Sequence, residues 1–456
     1  MTEPRKKLVV VGGVAAGTSA ASRARRVDPE LEIVLFEKGP HVSYGACDEP
    51  YFIGGEVPSW DRLLVRSPEQ FETKQNIHIR LNCEVIGIDA GARTVEVVDH
   101  GAGLRETHAW DALVIATGAR PRRLDLPGAG APNVFQLKFL DQARTLKSFL
   151  DSQRPKRAVT VGAGFIALEM AEAFYRLSVI NTILHRRSGP GGRTEPEVAD
   201  RIIDTLDRNG VRYVPDCRIE RFDTDGEGRV TGVVTSEGEF ENDLVLSAVG
   251  VEPDVGLAVA AGVALGPTGA IAVDERQETL VPGIYAAGDC CETRNRITGE
   301  PTFTPLGDIA NKQGWTAGEN AAGGEALYRG SLGSMHFRCF DLEVGMTGLT
   351  AAEATERFDA HATVIEHRSR AHAQPRGVPI LVKLVADRKT GRLLGGQLAG
   401  TEGAALRVNA LAVALHAGLT IEDLQQADFA YAPPFSPVID PILLAARVMT
   451  KEMAGS

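Results

Sequence analysis

One stretch of this 456-residue chain carries a residue type that could do redox chemistry: Ser43-Tyr44-Gly45-Ala46-Cys47-Asp48-Glu49-Pro50-Tyr51. A free cysteine is usually a small buried hydrophobe. Cys47, however, lies in a polar Gly- and Pro-bearing stretch shortly after a strand-like segment ending in Glu37, where a loop beside a bound nucleotide is expected. That setting points to a reactive thiol that exchanges electrons through disulfide chemistry. The attacking species is the thiolate, so the free-cysteine value of about 8.5 should be lowered here. Asp48 and Glu49 would oppose the lowering if they faced the sulfur. The other cysteines are Cys83, Cys217, Cys290, Cys291 and Cys339, a sparse set that fits a reducing compartment. Cys290 and Cys291 are adjacent but have no Cys or His nearby, so they read as core residues and no metal site is expected.

The elements that must position Cys47 are legible on both sides of it. Residues 8–11 form a continuous apolar β-branched run, as in a buried parallel strand. Gly12-Gly13-Val14-Ala15-Ala16-Gly17 follows, then a helical stretch over 18–27 and a strand over 31–36 that ends at Glu37. This is the strand, glycine turn, helix, strand, acid order of a dinucleotide site, with Val14 at the place of the middle glycine. Glycines at the turn let backbone N–H groups approach a pyrophosphate at the helix N-terminus, and the acid accepts hydrogen bonds from a ribose. A strand at 110–118 ends in Ala116-Thr117-Gly118, and Gly283 to Asp289 has the same form with an acid at its end.

A second unit lies between these segments. A strand over 157–161 leads into Gly162-Ala163-Gly164-Phe165-Ile166-Ala167, a helix over 169–177 and a strand over 181–184. The strand end carries His185-Arg186-Arg187 in place of an acid. Basic groups there would pair with a 2′-phosphate, so NADPH is expected over NADH, which stays possible. Residues 244–250 close the unit. From residue 331 onward no glycine-rich phosphate loop occurs. Residues 380–385 and 393–398 alternate around Asp387 to Gly391 as a hairpin, 403–418 is helical, and Tyr431-Ala-Pro-Pro-Phe-Ser-Pro is irregular.

The fold class is therefore α/β, with two Rossmann-like domains and a C-terminal α/β domain for association. The expected domains are 1–120 with 265–330, then 121–264, then 331–456. A net charge of −11 argues against general nucleic-acid or anionic-membrane binding. The N-terminal basic and apolar run is short and breaks at Gly12-Gly13, which favours a buried strand over a signal peptide. No apolar run reaches the roughly 20 residues that span a bilayer. A cytoplasmic location is expected.

Together these features resemble the FAD-dependent pyridine nucleotide-disulfide oxidoreductases, and more narrowly the single-cysteine branch typified by coenzyme A-disulfide reductase. The specific marks are Ser43 four before Cys47, Pro50-Tyr51, His185-Arg186, Asn311-Lys312-Gln313-Gly314 and Tyr431-Ala-Pro-Pro-Phe-Ser. The resemblance implies FAD held by Gly12, Val14, Ala15, Gly17, Glu37, Lys38 and Ser43 from the first unit. It adds Val85, Ala116, Thr117 and Gly118, and from the returning segment Gly288, Asp289, Pro305, Leu306 and Ala310. It implies NADPH on Gly162, Gly164, Phe165, Ile166, Glu169, His185, Arg186, Arg187 and Gly250. Cys47 and Tyr431 would be catalytic, with Tyr431 reaching the partner's site in a homodimer. Ser19, Arg23, Arg26 and Ser43 match positions that line a coenzyme A site, where the arginines could pair with phosphates.

Departures from the family pattern bear on the acceptor. Position 52 is Phe, so Cys47 has no second cysteine five residues on. The first glycine loop lacks the histidine of peroxidase and water-forming oxidase relatives. Ala46 replaces the usual Asn, Gln374 stands where a second tyrosine is usual, and Asp48-Glu49 is unusually acidic. No rhodanese domain is appended, which counts against a persulfide reductase. The expected activity is reduction of coenzyme A disulfide or a related small disulfide through a mixed disulfide on Cys47. The alternatives are an NAD(P)H oxidase with a Cys47 sulfenic acid, a persulfide or polysulfide reductase, and a non-catalytic redox-sensing flavoprotein.

Overall fold

The computed structural model describes residues 6–455. Its first sheet is parallel, in the order Ile284–Ala286, Ala112–Ile115, Lys7–Val11, Glu32–Glu37, His78–Leu81. Leu8, Val9 and Val10 are fully buried, as a central parallel strand covered on both faces requires. The helix Ala15–Val27 covers one face beside the long helix Gly307–Ala321. These two helices approach closely because the second presents glycines. A Cβ on Gly314 would lie 2.2 Å from the Ala16 carbonyl oxygen, and one on Gly318 would lie 2.1 Å from that of Ala20. The antiparallel meander Cys83–Asp89, Thr94–Asp99, Leu104–Ala109 covers the other face.

The second sheet repeats the plan, in the order Arg212–Val214, Ile180–Leu184, Arg157–Val161, Leu244–Ser247, Val134–Phe135, again parallel. The short strands Ala119–Pro121 and Val251–Pro253 pair antiparallel and form the double crossing between the two units. One expected boundary shifts. The return to the first unit, expected at 265, comes earlier, because Ala258 and Val263 pack in one core with Val9, Val34 and Leu113.

The third sheet is antiparallel, in the order Met335–Cys339, Leu342–Gly348, Leu393–Gly400, Pro379–Asp387, Ala360–Arg368. The hairpin expected around 387–391 is its centre. The helices Ala404–Ala417 and Pro441–Ala454 cover it. This domain is pinned to the second unit by Lys383, whose side chain is 8% exposed and whose Nζ lies 2.9 Å from Glu195 and 2.8 Å from Glu197. Leu406, Val413, Phe435 and Val438 are large apolar side chains left mostly exposed on it. Among the described residues no helix is long and apolar enough to cross a membrane.

Candidate active site

A cavity of about 2330 Å³ runs between the two nucleotide units and onto the third domain. That is more than twice the volume of about 1,000 Å³ at the top of the range for one small-molecule pocket. It has room for two nucleotides and an acceptor. Its wall includes Gly12, Val14, Ala15, Glu37, Lys38 and Val85, then Ala116, Thr117 and Gly118. It also includes Gly164, Phe165, Ile166, Glu169 and Gly250, and Gly288, Asp289, Pro305, Leu306 and Ala310. Cys47 lines the same wall.

The first glycine turn fits a pyrophosphate. Gly12 has φ +104°, and a Cβ there would sit 2.1 Å from the Ala116 carbonyl oxygen. Gly17 lies behind the turn, where a Cβ would meet the Gly12 carbonyl oxygen at 1.8 Å. Glu37 accepts the Gly13 N–H at 2.7 Å on one oxygen and the Gly39 N–H at 2.8 Å on the other. A carboxylate offers about four acceptor sites, so lone pairs remain for a ribose hydroxyl. The Thr117 hydroxyl donates to the Asp254 carbonyl at 2.6 Å and so ties the crossing strands together. Ser43 does not line the cavity. It holds the turn, with φ +53°, its N–H on the Gly13 carbonyl and its carbonyl accepting from Val65.

The second turn matches the first: Gly162 has φ +100°, and a Cβ there would meet the Ala248 carbonyl oxygen at 2.3 Å. Gly164 opens the helix Phe165–Arg176 and has no neighbour within 4 Å of a Cβ position, leaving the backbone open to a phosphate. Arg186 and Arg187 are exposed, and neither side chain forms an ion pair among the described residues. His185 differs from expectation. Its Nδ1 is 3.0 Å from the Tyr213 hydroxyl, and burial together with Arg187 and Arg186 holds the imidazole below its usual range. It is neutral at pH 7, so the positive charge at this strand end belongs to the arginines alone.

Cys47 sits in a single 3₁₀ turn, Ala46–Asp48, that runs into the short helix Glu49–Ile53. Its side chain is exposed to the cavity, whereas the other five cysteines are buried. The N-terminus of the helix Gly307–Ala321 lies beside it, since a Cβ on Gly307 would come within 4.0 Å of the sulfur. The expected lowering of the thiol's pKa is not what the chain's own groups produce. Desolvation pushes it up, Glu169, Asp48 and Glu49 push the same way, and only Lys138 opposes them.

Four further residues shape this site. Lys138 bridges the units through a 2.7 Å ion pair to Asp289. Glu49 is 1% exposed, and its Oε1 is buried without a hydrogen-bond partner. Tyr51 donates to Glu169 at 3.3 Å, and burial raises that carboxyl to about 7. Arg338 lies 5.6 Å from the Tyr51 ring centre and 2.8 Å from Glu56, carrying the third domain to the Cys47 loop. Only Tyr51 belongs to a local mark, Pro50-Tyr51. Each is brought in by a contact between distant segments, apart from Glu49, whose acidity in the loop was visible but whose burial was not.

The proposed acceptor-site residues lie at the edge. The Ser19 hydroxyl donates to the Asn311 carbonyl at 3.0 Å. Arg23 stacks 4.0 Å over Trp315 and pairs with Glu319 at 2.6 Å, and Arg26 is exposed. Tyr431 is 48% exposed and does not line the cavity of its own chain.

A family model for pyridine nucleotide-disulphide oxidoreductases matches residues 6–308, and its dimerisation domain matches 336–441. The chain belongs to this family, whose cofactors are FAD and NAD(P)H. It is similar to the NAD(P)H coenzyme A polysulfide/persulfide reductase of Pyrococcus horikoshii, 38% identical over 449 residues and 98% of each chain. It is 29% identical to the coenzyme A disulfide reductase of Staphylococcus epidermidis, over 94% of this chain and 96% of that one. The structure of reduced Bacillus anthracis CoADR-RHD superposes with a TM-score of 0.96 at 31% identity, over 99% of this chain and 81% of that one. The match spans 98% of the Pyrococcus relative's own length, which removes the sequence argument against persulfide chemistry.

Proposed function

We propose that this flavoprotein oxidoreductase reduces coenzyme A disulfide, or a related low-molecular-weight disulfide, with NADPH, through a mixed disulfide on Cys47. The observation that carries this reading is one cavity-facing thiol, with the other five cysteines buried, on the wall shared by both nucleotide turns. FAD, when bound, supplies the two-electron transfer between nicotinamide and sulfur. The protein's own groups position and charge the thiol. The Cys47 thiolate attacks one sulfur of the acceptor, the S–S bond breaks, and the first thiol leaves with a proton. Two electrons and a second proton then cleave the mixed disulfide, release the second thiol and restore Cys47. Lys138 and the N-terminus of the helix at Gly307 favour the anionic sulfur, as a cation and a helix N-terminus do. Tyr431 acts from the partner subunit as the donor to the leaving thiolate, which its exposure beside Phe435 and Val438 on the dimerisation domain supports. Arg26, with Arg23 once released from Glu319, receives the acceptor's phosphates.

Replacing Cys47 by serine is the direct test. The variant should keep its yellow flavin and the reduction of that flavin by NADPH, while disulfide turnover is lost. Undiminished disulfide reduction would refute the assignment. A second reading, reduction of coenzyme A persulfide or polysulfide, is favoured by the 38% identity to the Pyrococcus enzyme. Release of sulfide at a rate exceeding disulfide turnover would select it.

A further inference from the structure

Two residues after Cys47, Glu49 occupies a position that no other part of the proposed reaction uses. Its side chain is sealed from solvent, and one carboxyl oxygen has no hydrogen-bond partner among the described residues. A dehydrated carboxylate with an unsatisfied oxygen is costly unless a cation compensates it. The compensating cation at hand is Lys138, and the same lysine is the one that favours a thiolate on Cys47. Lys138 is already bonded to Asp289 at 2.7 Å. One cation, partly committed, therefore serves two acids.

The other groups around the pair do not add positive charge. Asp48 precedes Glu49 on its own turn. Glu169 faces Cys47 from the helix Phe165–Arg176. The phenol of Tyr44 is raised by burial first and then by Glu49 and Glu37, so it stays neutral. Residues i and i+2 of a helical turn point to different sides, so Glu49 acts on the sulfur through the field they share and not by contact.

We propose that Glu49 is a positioning residue that shares one ionisation with Cys47: the carboxyl keeps its proton while the sulfur is anionic, and a carboxylate at Glu49 holds the thiol protonated. This rests on the reading of Cys47 as the reacting thiol. Burial raises the Glu49 carboxyl to about 8, which places the exchange in the slightly alkaline range. Groups coupled by more than about one unit titrate as a pair. Below the Glu49 ionisation the neutral carboxyl leaves Cys47 its share of Lys138. Above it, the new anion suppresses further thiolate formation.

The test is the pH dependence of Cys47 alkylation by iodoacetamide in the flavin-loaded protein, followed by mass spectrometry of the Cys47 peptide. Wild type should show a break near the Glu49 ionisation and then a shallow rise. Glu49→Gln should follow wild type below the break near 8 and exceed it above, by up to about tenfold in rate, keeping only the lower inflection that the Glu169 carboxyl sets near 7. Glu49→Leu should reproduce the glutamine curve. A wild-type curve with no break near 8 overturns the proposal even where no variant folds, and superimposable wild-type and Glu49→Gln curves overturn it too. Alkylation reports the thiol and not turnover. Absence of the break in wild type beside an inactive Cys47→Ser sinks the coupling alone, whereas an active Cys47→Ser sinks the reading beneath it.

Discussion

Replacing Arg186 and Arg187 by alanine removes the positive charge at the end of the strand Ile180–Leu184 without breaking a side-chain ion pair among the described residues, because both side chains are exposed; the one other charge effect lost is their repulsion of a proton on His185. The magnitude follows from that exposure. A charge-assisted hydrogen bond contributes about 1.5–3 kcal/mol in general, and exposed pairs contribute about 0.2–1 kcal/mol. A bidentate guanidinium–phosphate contact in an open groove lies near the upper end of the exposed range. Two such contacts give about 2 kcal/mol, or roughly thirtyfold, at 1.4 kcal/mol per tenfold. His185 adds no charge of its own, since its imidazole is held neutral. The assay is kcat/KM for NADPH and NADH measured separately at low and high salt. The double variant should lose about thirtyfold with NADPH and little with NADH, and salt should weaken the wild-type preference but not the variant's residual rate. Equal losses with both nucleotides would refute the 2′-phosphate role.

Lys383→Met leaves the buried Glu195 carboxylate without its cation and should cost about 3–5 kcal/mol in denaturant unfolding, while the triple variant with Glu195→Gln and Glu197→Gln should recover most of the loss. Mixed dimers offer a test of Tyr431: inactive Cys47→Ser and impaired Tyr431→Phe protomers, refolded or co-expressed together, should regain one competent site per heterodimer. Activity no higher than that of the separate variants would show that the tyrosine does not act across the interface.

The parts of the molecule readable from sequence are those in which local pattern and tertiary role coincide. The run Leu8 to Val11, the turn at Gly12 and the acid at Glu37 are close in the chain and carry their own signals, and the strand and helix that they form follow within a few residues of expectation. The same holds for the strand Arg157–Val161 and the central hairpin of the third domain. Lys138 had no such signal. It precedes a helix in the second unit and acquires meaning only because Asp289, far along the chain, returns to meet it. The groups that raise the Cys47 thiol lack a local signal for a related reason: which carboxylates face a sulfur depends on how the helices carrying Glu49 and Glu169 are set against it. The early return at Ala258 was hidden because a five-residue helix, Gly256–Ala260, bears no mark of which core it will join.

The contact between the helices Ala15–Val27 and Gly307–Ala321 has a consequence for how the thiol's reactivity is encoded. One helix begins at the pyrophosphate turn, and the other begins beside the sulfur, so the seam at Gly314 and Gly318 fixes the distance between the two ends of the chemistry. A single added methyl at either glycine would strike a backbone carbonyl, and the least costly response is a shift of the second helix along or away from the first. Its leading amides would then retreat from Cys47, and the nucleophile would weaken although every pocket side chain was unchanged. Two hydrogen atoms in the hinge of the scaffold thus set the strength of a group at its tip.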